Sequence, residues 1–149
     1  MIIRTATAAD ARSVAKLRLA WADERSDVSE SVESYAAALA TWIASHEADV
    51  VGKLAQRDDG TIVGMGWLAI VDRLPVPARH DRRSGDIQSV FVLPEERSTG
   101  LGRRLIESLV AEGRARGLDR IVLHSSVEGA DFYRHLGWTG SELLLEFAP

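Results

Sequence analysis

The chain predicts an α/β fold of the α+β kind, a mixed sheet with helices on its faces, organised as a single domain over residues 1–149. Three observations carry that expectation. Two apolar segments, "VVGKLAQ" at 50–56 and "TIVGMGWLAIV" at 61–71, flank Asp59-Gly60, a strong hairpin dipeptide. From Ile87 onward, strand-like and helix-like patterns alternate, as they do where helices pack over a sheet. Finally, 149 residues of which 46% are hydrophobic and 27% charged can bury a proper core, and do not have the composition of a disordered chain.

Element by element, residues 1–4 are short and apolar enough for a strand, and "TAAD" at 7–10 resembles a capping box opening a helix. Val14, Leu17 and Trp21 recur at helical spacing, so the first helix is expected to end near Trp21. The polar, acidic run at 22–34 reads as a loop or a loose first turn. Tyr35, Leu39, Trp42 and Ile43 mark a second amphipathic helix, with Trp42 expected in the core. After the hairpin, 74–85 has two prolines and no periodicity, and predicts a loop before a strand at 87–92. Leu101, Leu105, Ile106, Leu109 and Val110 form one face of a helix running to about Arg116, with Gly117 placed as its C-terminal glycine. "RIVLH" at 120–124 predicts a buried strand, "ADFYRHLG" a short helix closed by Gly137, and "SELLLEF" at 141–147 a last strand.

Composition excludes several functions. A net charge of -4 and a pI near 5.6 give no reason to expect nucleic acid as a partner, and the basic cluster "RHDRR" at 79–83 reads as a solvated loop. The absence of cysteine removes disulfides, thiolate nucleophiles and cysteine zinc sites. His46, His80, His124 and His135 have no metal-ligand spacing, so no metal is expected. The first ten residues carry Arg4 and Asp10 where a signal peptide needs an apolar run, and the apolar stretch 62–71 is far short of the ~20 residues of a spanning helix. The expected setting is the cytoplasm, with no membrane partner.

The segment "ERSTGLGRRLI" at 96–106 joins the strand at 87–92 to a helix start. A helix N-terminus presents unpaired N–H groups and the positive end of the helix dipole, which favours an anion such as phosphate. A nucleotide P-loop would need lysine and Ser/Thr after the second glycine, where Arg103 and Arg104 stand. A dinucleotide-binding turn would need a third glycine where Leu105 stands, and an acidic residue at the end of the next strand, where His124 stands.

The stretch from Val90 to Trp138 closely resembles the GNAT superfamily of acetyl-coenzyme A-dependent N-acetyltransferases. Arg97, Gly100 and Gly102 match its Q/R-x-x-G-x-G/A turn, and Ala130, Tyr133, Leu136, Gly137 and Trp138 approximate its second signature. The opening "IIRTATAADARSVAKLRLAW" is also similar to the family's first strand and helix. The resemblance implies a mostly antiparallel mixed sheet of about six to seven strands flanked by about four helices. It further implies that the amides of Ser98, Thr99, Gly100, Leu101, Gly102 and Arg103 hold the coenzyme A pyrophosphate, with Arg103 adding charge. Pantetheine would pair with the backbone of Val90, Phe91 and Val92, a strand that Pro94 then closes. Glycine is usual in the family at the position of Ser98, and asparagine at that of Ser126, so those two contacts differ here.

Acetyl transfer to an amine needs a proton donor for the departing thiolate and a base for the amine. Tyr133 stands in the family's position for the acid. His124, a residue type that exchanges protons near neutral pH, ends the strand before the Tyr133 helix and is a candidate base; Asp86 and Gln88 are further candidates. Without cysteine no acetyl-cysteine intermediate can form, so direct attack in a ternary complex is expected. The alternative is a non-catalytic acyl-coenzyme A-binding module of the same fold. Asp23, Glu24, Asp27, Glu30 and Glu33 would form an acidic wall favouring a cationic acceptor. The acceptor's identity, a small-molecule or peptide amine, and the oligomeric state, a homodimer included, stay open.

Overall fold

The computed structural model describes residues 1–23, 30–142 and 145, with Asp23 described by its backbone alone. Its strands are β1 (Ile2–Thr5), β2 (Val50–Gln56), β3 (Ile62–Asp72), β4 (Arg83–Val92) and β5 (Arg120–Leu123), paired in that order in one sheet. The first four run antiparallel to their neighbours, and β5 lies parallel to β4. A parallel pair needs a crossover, which α3 (Leu101–Ala115) supplies; α1 (Ala11–Asp23) and α2 (Val32–Ser45) lie between β1 and β2 in the chain, and α4 (Val127–His135) follows β5.

The mixed sheet and four helices match expectation, but the strand count does not. Among the described residues there are five strands rather than six to seven. The last expected strand, at 141–147, falls largely outside the described residues, and Ser141, Glu142 and Leu145 are not in a strand. β4 also starts four residues earlier than the expected 87, because Arg83 pairs with Asp72 and extends the hairpin with β3. The basic cluster beside it is not simply solvated. Asp119 is ion-paired with Arg79, with Arg82 at 3.3 Å and with Arg73 at 4.0 Å, so one carboxylate gathers the loop.

The sheet is covered on both faces. Val14, Leu17 and Ile43 from α1 and α2 pack on Leu54, Met65, Trp67 and Phe91. On the other face Ile106 and Leu109 of α3 pack on Val51, Leu68, Ile70 and Ile87, while Leu105 meets Ala55 and Val92. Leu105 and Leu109 are fully buried, so truncating either to alanine is expected to cost about 2–5 kcal/mol. Close seating of α3 depends on Gly64 and Gly66: a Cβ would stand 3.2 Å from a Leu105 methyl at the first and 2.9 Å from a Leu109 methyl at the second. Lys53 is buried on β2, and its ammonium binds Glu112 of α3 at 2.9 Å and the Thr5 hydroxyl at 3.0 Å. Among the described residues no helix is long and apolar enough to cross a membrane.

Candidate active site

The site begins with an irregularity in β4. Met65 pairs with Phe91 and Trp67 with Gln88, so Ser89 and Val90 together oppose Gly66, and Ser89 takes a left-handed φ of 53°. Such a bulge bends its strand. β5 pairs with β4 only over Ser84–Ile87, and past that point the ladder ends. Among the described residues the edge of β4 from Gln88 to Val92 therefore has no strand beside it on the β5 side. A cleft of about 850 Å³ opens there.

The turn after β4 forms the second wall. Ser98 (φ 63°) and Gly100 (φ 82°) both adopt left-handed backbone, and Gly100 caps α3. The first intrahelical bond runs from the Arg104 N–H to the Gly100 carbonyl, so the N–H groups of Leu101, Gly102 and Arg103 are the helix's orphan donors. Turns with left-handed residues beside a helix start are backbone anion sites. Arg103 also lines the cleft, though its guanidinium is paired with Glu107 at 2.7 Å. Arg97 donates to the Val92 carbonyl at 3.1 Å and lies over the Phe91 ring, so it ties the turn to the end of β4. Glu96, the acidic residue on this wall, is drawn to Arg57 at 2.7 Å.

The third wall is α4 and the segment before it. This helix starts three residues earlier than expected, because the Ser126 hydroxyl accepts the Gly129 N–H and caps it. Its C-terminus is a Schellman arrangement: the Trp138 N–H reaches the Tyr133 carbonyl at 3.1 Å, and the Gly137 N–H reaches the Arg134 carbonyl at 2.9 Å. Gly137, at φ 87°, makes this possible, and the accompanying apolar contact is Trp138 against Tyr133. Tyr133 is half-buried, and that burial pushes its phenol above its ordinary range, keeping the proton on the oxygen. Among the described residues its hydroxyl has no hydrogen-bond partner, and the residue lines the cleft.

Val90, Phe91, Val92, Arg97, Ser98, Gly100, Leu101, Gly102, Arg103, His124, Ser126 and Tyr133 all line this one cleft. Thr99 does not; its hydroxyl is turned back to the Glu96 carbonyl at 2.7 Å. Asp86 and Gln88 lie outside the cleft lining, bonded to each other at 2.7 Å. Sequence reasoning did not anticipate Trp21 and Phe132 on the walls. Trp21 sits in the apolar stripe of α1, so its period marks it as core; here it stacks on Phe91 with centroids 5.7 Å apart. Phe132 carried a usable signal, an aromatic next to Tyr133 on the face that α4 leaves exposed. Of the expected acidic wall, Glu24, Asp27 and the Asp23 side chain lie outside the described residues. Glu33 is paired with Arg12 at 3.0 Å.

The sheet opens beside a helix-start turn, and comparison with known proteins says which family has this arrangement. The acetyltransferase (GNAT) family model matches residues 15–138, and the chain belongs to that family. It is similar to the glucosamine 6-phosphate N-acetyltransferase of Trypanosoma brucei brucei, 36% identical over 83 residues, or 56% of this chain and 54% of the relative. It is also similar to the mycothiol acetyltransferase of Thermobispora bispora, 38% identical over 92 residues, or 58% of this chain and 29% of that protein. The matched regions thus span about half or less of those relatives. A crystal structure of a Trypanosoma brucei acetyltransferase superposes with a TM-score of 0.77 at 27% identity, covering 99% of each chain.

Proposed function

We propose that the chain is an N-acetyltransferase that moves the acetyl group of acetyl-coenzyme A to a primary amine by direct attack in a ternary complex, in a cytoplasmic setting. The observation that carries this reading is that Tyr133, residues of the turn before α3 and the edge of β4 past Ile87 share one cleft. Each part suits one part of the cosubstrate. The orphan N–H groups at the start of α3 suit the pyrophosphate without lysine or metal. The edge from Val90 to Val92 suits pantetheine, which would pair with backbone groups as an added strand does. Membership of the acetyltransferase family supports acetyl as the group carried.

In the reaction the neutral amine attacks the thioester carbonyl, a C–N bond forms, and the C–S bond breaks. The amine loses one proton to a base, and the thiolate gains one from the Tyr133 hydroxyl, giving an amide and free coenzyme A thiol. Water returns the proton to the tyrosine between turnovers. His124 on the cleft wall is the base in this reading. The chain has no cysteine, so the acetyl group does not pass through a cysteine thioester.

The test is a turnover screen with acetyl-coenzyme A, reading released thiol, over polyamines, amino acids, amino sugars and peptide N-termini. Thiol release with matching N-acetylated product is expected for one class. Cofactor binding without turnover on any class would replace the enzyme with a non-catalytic acyl-coenzyme A-binding module.

A further inference from the structure

A second cavity, of about 440 Å³, meets the cleft at Ser89 and lies between α1, α2 and the β3–β4 hairpin. That volume suits a small molecule. Its walls are apolar: Val14 and Leu39, with Trp42 standing edge-on to Trp67 at a centroid distance of 6.2 Å. Trp42, expected in the core, is 41% exposed and faces this space. One cation enters the lining. Arg18, half-buried, donates from Nη1 to the Ser89 hydroxyl at 2.6 Å and from Nε to the Tyr35 hydroxyl at 3.3 Å, and its guanidinium lies over the Trp21 ring.

All of those partners are neutral. Among the described residues no carboxylate pairs with Arg18, and its second Nη has no acceptor. A guanidinium drawn out of water is costly unless an anion meets it. Its planar fork is suited to a carboxylate. A negative group stands on the same sheet. Asp86 pairs in register with Ala69, which lines the cavity, and its carboxylate accepts from Gln88, which lines it too. The cavity thus combines apolar walls, a cation that meets no carboxylate among the described residues, and a nearby carboxylate on β4.

We infer that the acceptor is an apolar α-amino acid, its carboxylate on Arg18, its side chain against Trp42 and Trp67, and its amine directed past Ser89 toward the thioester. The ammonium form would be attracted by Asp86 before it loses its proton. This rests on the acetyl-transfer reading and narrows it to one substrate class. It differs from a purely cationic acceptor, which Arg18 would repel.

The experiment is calorimetric titration of the coenzyme A-saturated protein with tryptophan and phenylalanine, and with tryptamine and phenethylamine, which lack only the carboxylate. The amino acids should bind about 10–100-fold more tightly, the usual worth of a charge-assisted contact. Arg18→Gln should erase that preference while coenzyme A affinity is preserved, and Arg18→Lys should retain part of it. The wild-type comparison stands even if a variant fails to fold. Equal or better binding of the decarboxylated amines, or binding of neither class, overturns the inference. Thiol release is followed in parallel: amino acids that bind with carboxylate preference but release no thiol would leave the Arg18 site standing and remove acetyl transfer.

Discussion

The phenol of Tyr133 stands edge-on to the indole of Trp138, with centroids 6.3 Å apart and planes at 71°. They lie five positions apart, and the contact follows from the Schellman closure at Gly137, which folds the chain back over the last turn of α4. The motif around Leu136–Trp138 therefore has a mechanical role: it holds the ring of a residue that lines the cleft. Aromatic pairs of this kind contribute about 0.5–1.5 kcal/mol beyond buried area.

Tyr133→Phe is expected to keep that packing and lose only the hydroxyl. If the phenol protonates the thiolate, kcat should fall by about 10²–10⁴-fold while the KM for acetyl-coenzyme A barely moves. A thioester with a more acidic leaving thiol should recover part of the rate. A folded variant with near-normal kcat would pass the role to water or to another residue.

Gly100→Val should separate the turn's backbone role from its binding role. A Cβ at Gly100 meets nothing within 4 Å, so the folding cost comes from the left-handed φ of 82°, about 1–2 kcal/mol. The side chain would then occupy the cleft at the start of α3. Most of the rise in melting temperature that acetyl-coenzyme A confers on the wild type should vanish. An undiminished rise in the folded variant would make the turn purely structural.

His124→Gln tests the base. The glutamine keeps polarity and comparable bulk at the end of β5 but cannot take a proton at neutral pH. Loss of about 10²–10⁴-fold in kcat, with cofactor binding intact, is the expected result. If the loss appears instead in Asp86→Asn, proton removal runs from the Gln88 side of β4.

Two partly buried carboxylates make stability fall toward acid pH. The Lys53 ammonium, with Arg116 beside it, holds Glu112 below the usual glutamate range, and the Arg4 guanidinium does the same for Asp10. Groups with depressed folded-state pKa values stabilise the protein above their unfolded values, near ~4, and lose that contribution as pH falls through the folded values. Glu112→Gln should therefore cost about 1–3 kcal/mol at pH 7, since it also leaves Lys53 without its counter-ion. In denaturant titrations its deficit relative to the wild type should shrink as pH drops toward 3. A deficit independent of pH would mean that the cost lies in packing.

What the sequence determined by itself was local. Asp59-Gly60 specified its hairpin, with Gly60 at φ 89°, because few residues tolerate that backbone. The stripe from Leu101 to Leu109 announced α3, because burial on one face imposes a helical period. Gly100, Gly102, Tyr133 and Gly137 carried the family resemblance, because short motifs are written in local spacing. Other features were decided by contacts between residues far apart in the chain. The bulge that puts Ser89 opposite Gly66 is a register event between two strands, and the cleft exists because β5 stops pairing at Ile87. Asp119 collects arginines some forty positions away, which anchors an otherwise exposed loop. Trp42 and Trp21 followed the period of their helices, yet line cavities, since periodicity says which face is apolar and not whether that face is filled. Arg18 shows the same division. Its charge is plain in the sequence, but only the tertiary structure brings it to Ser89, 71 positions on, and surrounds it with neutral groups. An ion's worth depends on what reaches it in space, and neighbours along the chain do not specify that.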